Sequence, residues 1–399
     1  MSDVLITYGW VRSSYAALRN LKKHNINVAI ADDSIFGMSQ FSRFKDCHDT
    51  YTSHYVSEKK FIKDIKNIYK KRDIRFILPS HNETEIIARH KKDFPKSVCS
   101  MIPDADHCRL FNNKSEAYNL VKSLDIPVPK RFLYEDPLQI ESIISDSKVE
   151  RVVIKLLTGN SGKGVFYEDS PKKAQEKVLE IIKKYNLSKS RYPQIEEYVH
   201  GDGYGCSVLF WKGEQITHFT HKRLREKIKT GGTSTYRESA SHKGIEDAAK
   251  KLFSKIGWHG LAMSEFKVCD KTNKFWFIEV NPRMWGSMPL AISSGVEFPY
   301  LTYLCATQGP EEARKYHSKQ IVKQGWGGKW LLGEYFVLVS NLISFNFKEV
   351  SKMIFGRKSN SIDDFYWDDP FAFLGQVISY IKKALLKRSL NASDKGMIG

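Results

Sequence analysis

Leu261-Ala262-Met263-Ser264-Glu265-Phe266-Lys267-Val268 is followed closely by Phe275-Trp276-Phe277-Ile278-Glu279-Val280-Asn281-Pro282-Arg283. The two apolar-rich runs flank a short polar segment, Asp270 to Lys274, a pattern that predicts a β-hairpin. Residues two apart on a strand share a face, so Glu279 and Asn281 point the same way. A register that sets Glu265 beside them gathers two carboxylates and an amide oxygen. That donor set suits Mg²⁺ (or Mn²⁺), hard cations that take oxygen ligands and usually hold substrate phosphates as well. Pro282 stops the ladder for want of an N–H. Arg283 follows where growing negative charge can be met. An exposed hairpin with solvated acids is the plain alternative. It suffices for Glu265 alone, but not for Glu265 together with Glu279-Val280-Asn281-Pro282-Arg283.

A second constellation lies upstream. The strand Val152-Val153-Ile154-Lys155 runs into Leu156-Leu157-Thr158-Gly159-Asn160-Ser161-Gly162-Lys163-Gly164. Glycines here let backbone N–H groups approach phosphate oxygens closely. The spacing is not that of a P-loop, which needs four residues between Gly and Gly-Lys and then Ser or Thr. A glycine turn between two strands explains the loop taken alone. Lys155 at the end of the preceding strand, and Lys114 from an earlier helix, add cations for the same phosphates. Gln194-Ile195-Glu196-Glu197-Tyr198-Val199 reads as a strand able to offer backbone groups to an adenine edge.

Before these motifs, residues 1 to about 105 alternate strand and helix signals: strands near Val4–Thr7, Asn27–Ala31 and Phe76–Pro79, helices near Ser13–Lys23, Lys59–Lys71 and Glu83–Lys92. Such alternation implies a parallel sheet covered by helices. Only Gly9 follows the first strand, so the dinucleotide pattern G-x-G-x-x-G is absent and NAD is not expected. A helix is predicted over Asn112–Leu124 and another over Pro171–Tyr185. Ser207–Trp211 and Gln215–Thr220 should pair around Lys212-Gly213-Glu214, residues 221 to 242 read as a polar loop, and a helix is predicted over Gly244–Ile256. Beyond about residue 310 aromatics are dense. The last helix spaces Phe373 or Leu374, Val377, Ile378, Ile381 and Leu385 on one side, with Lys382, Lys383, Lys387 and Arg388 near its end. A helix packed on its own domain is favoured over a membrane-surface helix.

At 399 residues the chain is long enough for two or three domains. A net charge of +18 favours anionic partners such as nucleotides or acidic substrates. The six cysteines form no C-x-x-C pair, and Met1-Ser2-Asp3-Val4-Leu5-Ile6 has no signal-peptide pattern, so reduced thiols in the cytoplasm are expected. No apolar run is long enough to span a membrane.

The order of these features, a lysine, a strand lysine with a Gly-rich loop, Glu-Glu-Tyr-Val, a Glu on one strand and Glu-x-Asn-Pro-Arg, resembles the ATP-grasp superfamily. The branch it is similar to is that of the carbamoyl phosphate synthetase large subunit and biotin carboxylase. The resemblance covers roughly residues 1 to 305. It implies an α/β and α+β protein: an N-terminal Rossmann-like domain over 1–108, a two-lobed ATP-grasp domain over 109–310 with a lid at about 127–195, and a helical, aromatic-rich extension over 311–399. It further implies Lys114 and Lys155 on the ATP phosphates, Ser161, Gly162, Lys163 and Gly164 in a loop that closes over them, and Glu196, Glu197 and Val199 at the adenine. Glu265, Glu279 and Asn281 are the implied metal ligands and Arg283 the catalytic arginine, with Lys155 also counted as catalytic. The chain departs from the family's pattern where a ribose-binding glutamate is usual; the stretch is His200-Gly201-Asp202-Gly203-Tyr204-Gly205, with Asp202 as the substitute.

The implied activity is ATP-dependent joining of a carboxylate to an amine through an acyl phosphate, with an amino acid or an acidic cell-envelope sugar as the acid. Arg223 and Arg225, expected on one strand face, and Gly231, Gly232, Thr233 and Ser234 are the expected acceptor-side residues. A homodimer and a peripheral contact at the inner membrane face through the C-terminal extension are compatible with this reading. Phosphoryl transfer without amide formation, as in a carboxylase, is the enzymatic alternative. A basic nucleic-acid-binding protein is the non-enzymatic one, disfavoured because no nucleic-acid motif is present.

Overall fold

The computed structural model describes residues 3–159, 164–227 and 232–385. The expectations for Ser161, Gly162, Lys163 and Gly231, and for Lys387 and Arg388, fall outside the described residues, as does the Lys383 side chain.

Strands β1 (Val4–Ile6), β2 (Val28–Asp32), β3 (Cys47–Thr50) and β4 (Phe76–Leu78) form a wholly parallel sheet in the order β3-β2-β1-β4. β1, β2 and β4 are buried along their whole length, as strands covered on both faces must be. Their near-continuous apolar runs made them readable. The polar edge strand β3, Cys-His-Asp-Thr, did not reveal itself. The helix Glu58–Arg72 starts where the Ser57 side chain accepts a hydrogen bond from the Lys60 N–H.

A second, antiparallel sheet is the smaller lobe. It contains β5 (Arg131–Phe132), β6 (Val152–Lys155), β7 (Val165–Glu168) and β8 (Gln194–Glu197), in the order β5-β8-β6-β7. Ile140, Ile144, Val178 and Ile181 from two covering helices pack on Val152, Ile154 and Ile195. These elements lie over the stretch, about 127–195, expected to form a lid. At the β6–β7 turn Gly164 has φ of 71°, and a Cβ there would lie 2.8 Å from Leu156 Cδ1, so glycine is required on both counts.

The third sheet has seven strands: β9 (Asp202–Trp211), β10 (Glu214–Glu226), β11 (Ser234–Ala240), β12 (Gly260–Cys269), β13 (Lys274–Asn281), β14 (Gly327–Lys329) and β15 (Ser361–Ile362). Their order is β13-β12-β9-β10-β11-β14-β15. The hairpin β12–β13 forms as expected. Two corrections follow from this sheet. Residues 221–242 are not a polar loop, because β10 continues to Glu226 and β11 begins at Ser234. The boundary at residue 310 cuts through one sheet, since β14 pairs with β11 and β15 with β14.

One face of this sheet carries Phe210 and Phe266, packed on Phe111, Phe253 and Trp258. The other carries Leu209, Phe219 and Met263, packed against the N-terminal domain. The C-terminal stretch ties the domains together: Asp363 is buried between Arg12 (2.7 Å) and Arg237, and Asp369 accepts from the Tyr15 hydroxyl at 3.0 Å. The last helix, Pro370–Leu385, packs on Met38–Phe41 and sets Tyr380 against Trp10, Trp330 and Phe336. It is a helix docked on its own fold. Among the described residues no helix is long and apolar enough to cross a membrane.

Candidate active site

The hairpin register pairs Glu265 with Glu279 and Met263 with Asn281. All four side chains therefore share one face. The Asn281 side-chain N–H donates to Glu265 Oε1 at 3.1 Å. Burial pushes the Glu265 carboxyl up, with Arg223 pulling it down and Glu279 adding to the rise. Arg223 Nη2 is 2.5 Å from Glu265 Oε2.

Lys114 links this hairpin to the glycine turn. The helix expected over Asn112–Leu124 is present as Lys114–Ser123, capped by Asn113, whose side chain accepts from the Ser115 and Glu116 N–H groups; Asn112 ends the helix before it. Lys114 is thus the first residue of that helix. Its N–H donates to Leu157 O at 2.8 Å, and its Nζ lies 3.0 Å from Gly159 O and 4.0 Å from Glu279 Oε2. Burial lowers its pKa, Glu279 raises it, and Lys155 lowers it further. Lys155, at the end of β6, is paired with Glu196 Oε2 at 2.5 Å. Gln194 also holds Glu196. Neighbouring Glu197 points elsewhere: its Oε1 accepts from the Lys130 N–H at 2.8 Å. Val199 follows Tyr198, whose N–H donates to Arg151 O at 3.0 Å. Asp202 is half-exposed and paired with Lys222 at 2.8 Å, at the outer end of β9.

On the other side the expectation that Arg223 and Arg225 share a face is corrected. A bulge between them sets Arg223 opposite Arg237 and Arg225 opposite Tyr236, adjacent residues that point to opposite faces. Arg223 holds Glu226 (3.1 Å) and Glu265, whereas Arg225 holds Glu334. The two do not converge as a fork. Gly232 O is 3.4 Å from Arg223 Nη1, Thr233 O accepts from the Lys227 N–H, and Ser234 O accepts from buried Arg237.

Sequence reading missed the device that lets Arg223 reach Glu265. Strand β9 lies between them, with Gly205 opposite both Glu265 and His221. Arg223 falls beside Gly203; a Cβ on Gly203 would be 2.9 Å from Arg223 Cδ, and one on Gly205 2.4 Å from His221 Cε1. The two glycines clear a path across the sheet. The signal was present as Gly203-Tyr204-Gly205, a strand with side chains deleted on one face.

Arg283 stands past the ladder, its N–H on Asn281 O at 2.9 Å. Burial lowers its pKa, opposed first by Glu279, then by Tyr8, Glu265 and Tyr55. The tyrosines come from the loops after β1 and β3 of the N-terminal domain, which a parallel bridge from Ser80 to Met284 fastens beside Arg283. At the C-terminal edge of that domain's sheet Tyr8 and His81 both adopt left-handed backbone, φ 54° and 59°. Their rings stack with centroids 4.6 Å apart. Left-handed non-glycine residues carry a local cost, and strand C-termini of open α/β sheets are where ligands bind.

The arrangement can hold a polyphosphate and a divalent cation together. Glu265, Glu279 and Asn281 offer hard oxygens on one face, and Lys114 spans from them to the glycine turn. Among the described residues no three His, Cys, Asp or Glu side chains gather as a metal site. A pair of carboxylates with an amide fits Mg²⁺ all the same, because that ion keeps waters and phosphate oxygens in its shell.

Comparisons with known proteins bear on the fold. Residues 194–325 match the family described as ATP-grasp in the biosynthetic pathway with Ter operon. A putative urea carboxylase of Emericella nidulans is 22% identical over 233 residues, 55% of this chain but 19% of that protein, so the chain spans about a fifth of that relative's length. The biotin carboxylase domain of Hydrogenobacter thermophilus 2-oxoglutarate carboxylase, solved with MgADP and bicarbonate, superposes with a TM-score of 0.62 at 16% identity, covering 77% of this chain and 70% of that one. Campylobacter jejuni biotin carboxylase gives 0.61 at 15%, covering 81% and 74%. Staphylococcus aureus N5-carboxyaminoimidazole synthetase with ADP gives 0.60 at 15%, covering 77% of each. At these identities the solved structures show a shared fold.

Proposed function

We propose that this chain, an ATP-grasp protein, is an ATP-dependent carboxylate–amine ligase. One observation carries the reading: Lys114 reaches both Gly159 O and Glu279, and so joins the glycine turn to the carboxylate hairpin beside Arg283. Lys114, Lys155 and the glycine turn orient the triphosphate. Glu265, Glu279 and Asn281 would hold Mg²⁺, which supplies charge neutralisation at the phosphate oxygens.

A substrate carboxylate oxygen attacks the γ-phosphorus and the bond to ADP breaks, leaving an acyl phosphate. An amine then attacks the acyl carbon, inorganic phosphate departs, and the amine loses a proton. Arg283 meets the oxyanion of that step. Tyr8 and His81 form the wall where the acid or the amine sits. An amino acid or an acidic sugar fits the basic chain; Arg223, already engaged by Glu265, acts on the substrate side by positioning that carboxylate rather than by gripping the acid.

A second reading, phosphoryl transfer to bicarbonate without amide formation, is favoured by the carboxylases among the similar structures. ADP release from acids and amines in pairs, with hydroxylamine as a trap for acyl phosphate, separates the two. Hydroxamate formed by wild type and lost in Glu279→Gln supports the ligase. ADP release with bicarbonate alone supports the second reading. Equal ADP release by both proteins with every pair contradicts the site assignment.

A further inference from the structure

The helices Leu331–Ile343 and Phe347–Phe355 form a hairpin whose tip, and the outer face of whose second helix, are apolar and face water. Ile343 is 73% exposed, Phe345 77%, Phe347 62%, Ile354 60% and Phe355 82%. On the second helix Val350 points inward, while Phe347, Ile354 and Phe355, spaced at seven and eight residues, line the outer face. Scattered exposed apolar residues need no account, but a contiguous group of this kind does.

Phe345 sharpens the point. It sits at φ 53°, the left-handed conformation that glycine or asparagine ordinarily supplies after a helix. Its ring instead contacts Phe347 edge-on, with centroids 6.2 Å apart. Backbone preference and solvation both disfavour a phenylalanine here, and neither is relieved by packing against the body of the protein.

Exposed Lys348, Lys352, Arg357 and Lys358 lie along and just beyond the second helix; Lys352 is paired with Glu349 at 2.7 Å and Arg357 with Glu238. The root of the hairpin is rigid: Asp364 accepts from the Leu331 and Leu332 N–H groups at 2.9 and 3.2 Å, and Glu334 pairs with Arg225. Lys227, next to the expected acceptor loop, lies 5.2 Å over the Phe336 ring.

We infer that this hairpin seats the protein on an anionic lipid surface, its aromatic tip entering the headgroup boundary and its basic flank meeting the lipid phosphates. Charge decides against a second copy of the chain, since apposing the same faces would bring Lys348 and Lys358 of each copy together, in a chain of net charge +18. The surface differs from the terminal helix, whose inner side is already used for packing.

The test is co-sedimentation of the full chain with vesicles of phosphatidylcholine alone or mixed with phosphatidylglycerol. Wild type should pellet with the anionic vesicles and release in high salt. Phe345→Ser combined with Phe355→Ser should weaken binding about tenfold or more, with melting temperature and nucleotide affinity unchanged. Lys348→Ser with Lys352→Ser should lose the preference for the anionic lipid. Absence of pelleting at low salt, or equal pelleting by wild type and the phenylalanine variant, overturns the inference. So does a concentration-dependent dimer in sedimentation velocity that the phenylalanine variant abolishes, because that outcome assigns the face to a second copy.

Discussion

Strands β10–β11 and the hairpin β12–β13 belong to one sheet and carry charge on the same face, yet they use it differently. Arg237 and His221 on the first pair are essentially without solvent contact, whereas the Glu279 side chain on the hairpin keeps 24% of its exposure. The Arg237 charge is matched by Asp363 from a distant segment, while burial holds the His221 imidazole well below its usual pKa range. The half-open charges are free to meet a ligand. On the proposed reading a charged residue is structural or functional according to which side of β9 it occupies, and Arg223, reaching across, belongs to both.

The largest effect that tests this contrast is at Asp363. Asp363→Ala leaves the buried guanidinium groups of Arg12 and Arg237 without their shared carboxylate, and should cost about 3–5 kcal/mol in urea unfolding. A loss no greater than an ordinary surface substitution breaks the assignment of this face as structural.

Gly205→Ala comes next. The added methyl would lie 2.4 Å from Cε1 of the buried His221 ring, so about 1–3 kcal/mol should be lost. The same substitution should also displace Arg223 from Glu265, read as a change in metal-dependent nucleotide binding. Stability lost with that binding intact would confine Gly205 to packing.

The smallest effect concerns pH. Burial, then Arg223 and Arg237, hold the His221 imidazole well below its usual range. A depressed histidine pKa means that the unfolded chain takes up the proton first, so its contribution is full above about pH 6.5 and is lost as pH falls. His221→Gln should therefore flatten the stability profile below pH 6.5 by at most about 1.4 kcal/mol per pH unit. Parallel profiles for wild type and variant would show that His221 does not titrate in this way.

The contrast also explains what was legible in the sequence. The hairpin announced itself because Phe266 and Val280 alternate with Glu265 and Glu279 and the turn is polar. The N-terminal strands did so by their apolar runs. Residues 221–242 did not, because the inward positions of β10 and β11 hold His221, Arg223 and Arg237 where a strand pattern expects apolar side chains. Nothing local signals that Asp363, 126 residues away in sequence from Arg237, will neutralise it. For the same reason the bulge that separates Arg223 from Arg225 was invisible, and so was the use of 311–385 to complete the sheet. Lys114, Lys155 and the hairpin acids could be named from the sequence, but their neighbours Gly159, Glu196 and the glycines of β9 needed three dimensions.

The central claim is that Glu279, with Glu265 and Asn281, is where a nucleotide's metal is held. The direct measurement is equilibrium ATP binding with and without Mg²⁺ for wild type and Glu279→Gln. Wild type should bind about tenfold or more tightly when Mg²⁺ is present, and the variant should lose that dependence while melting within about 0.5 kcal/mol of wild type. Equal Mg²⁺ dependence in the two proteins would contradict the account.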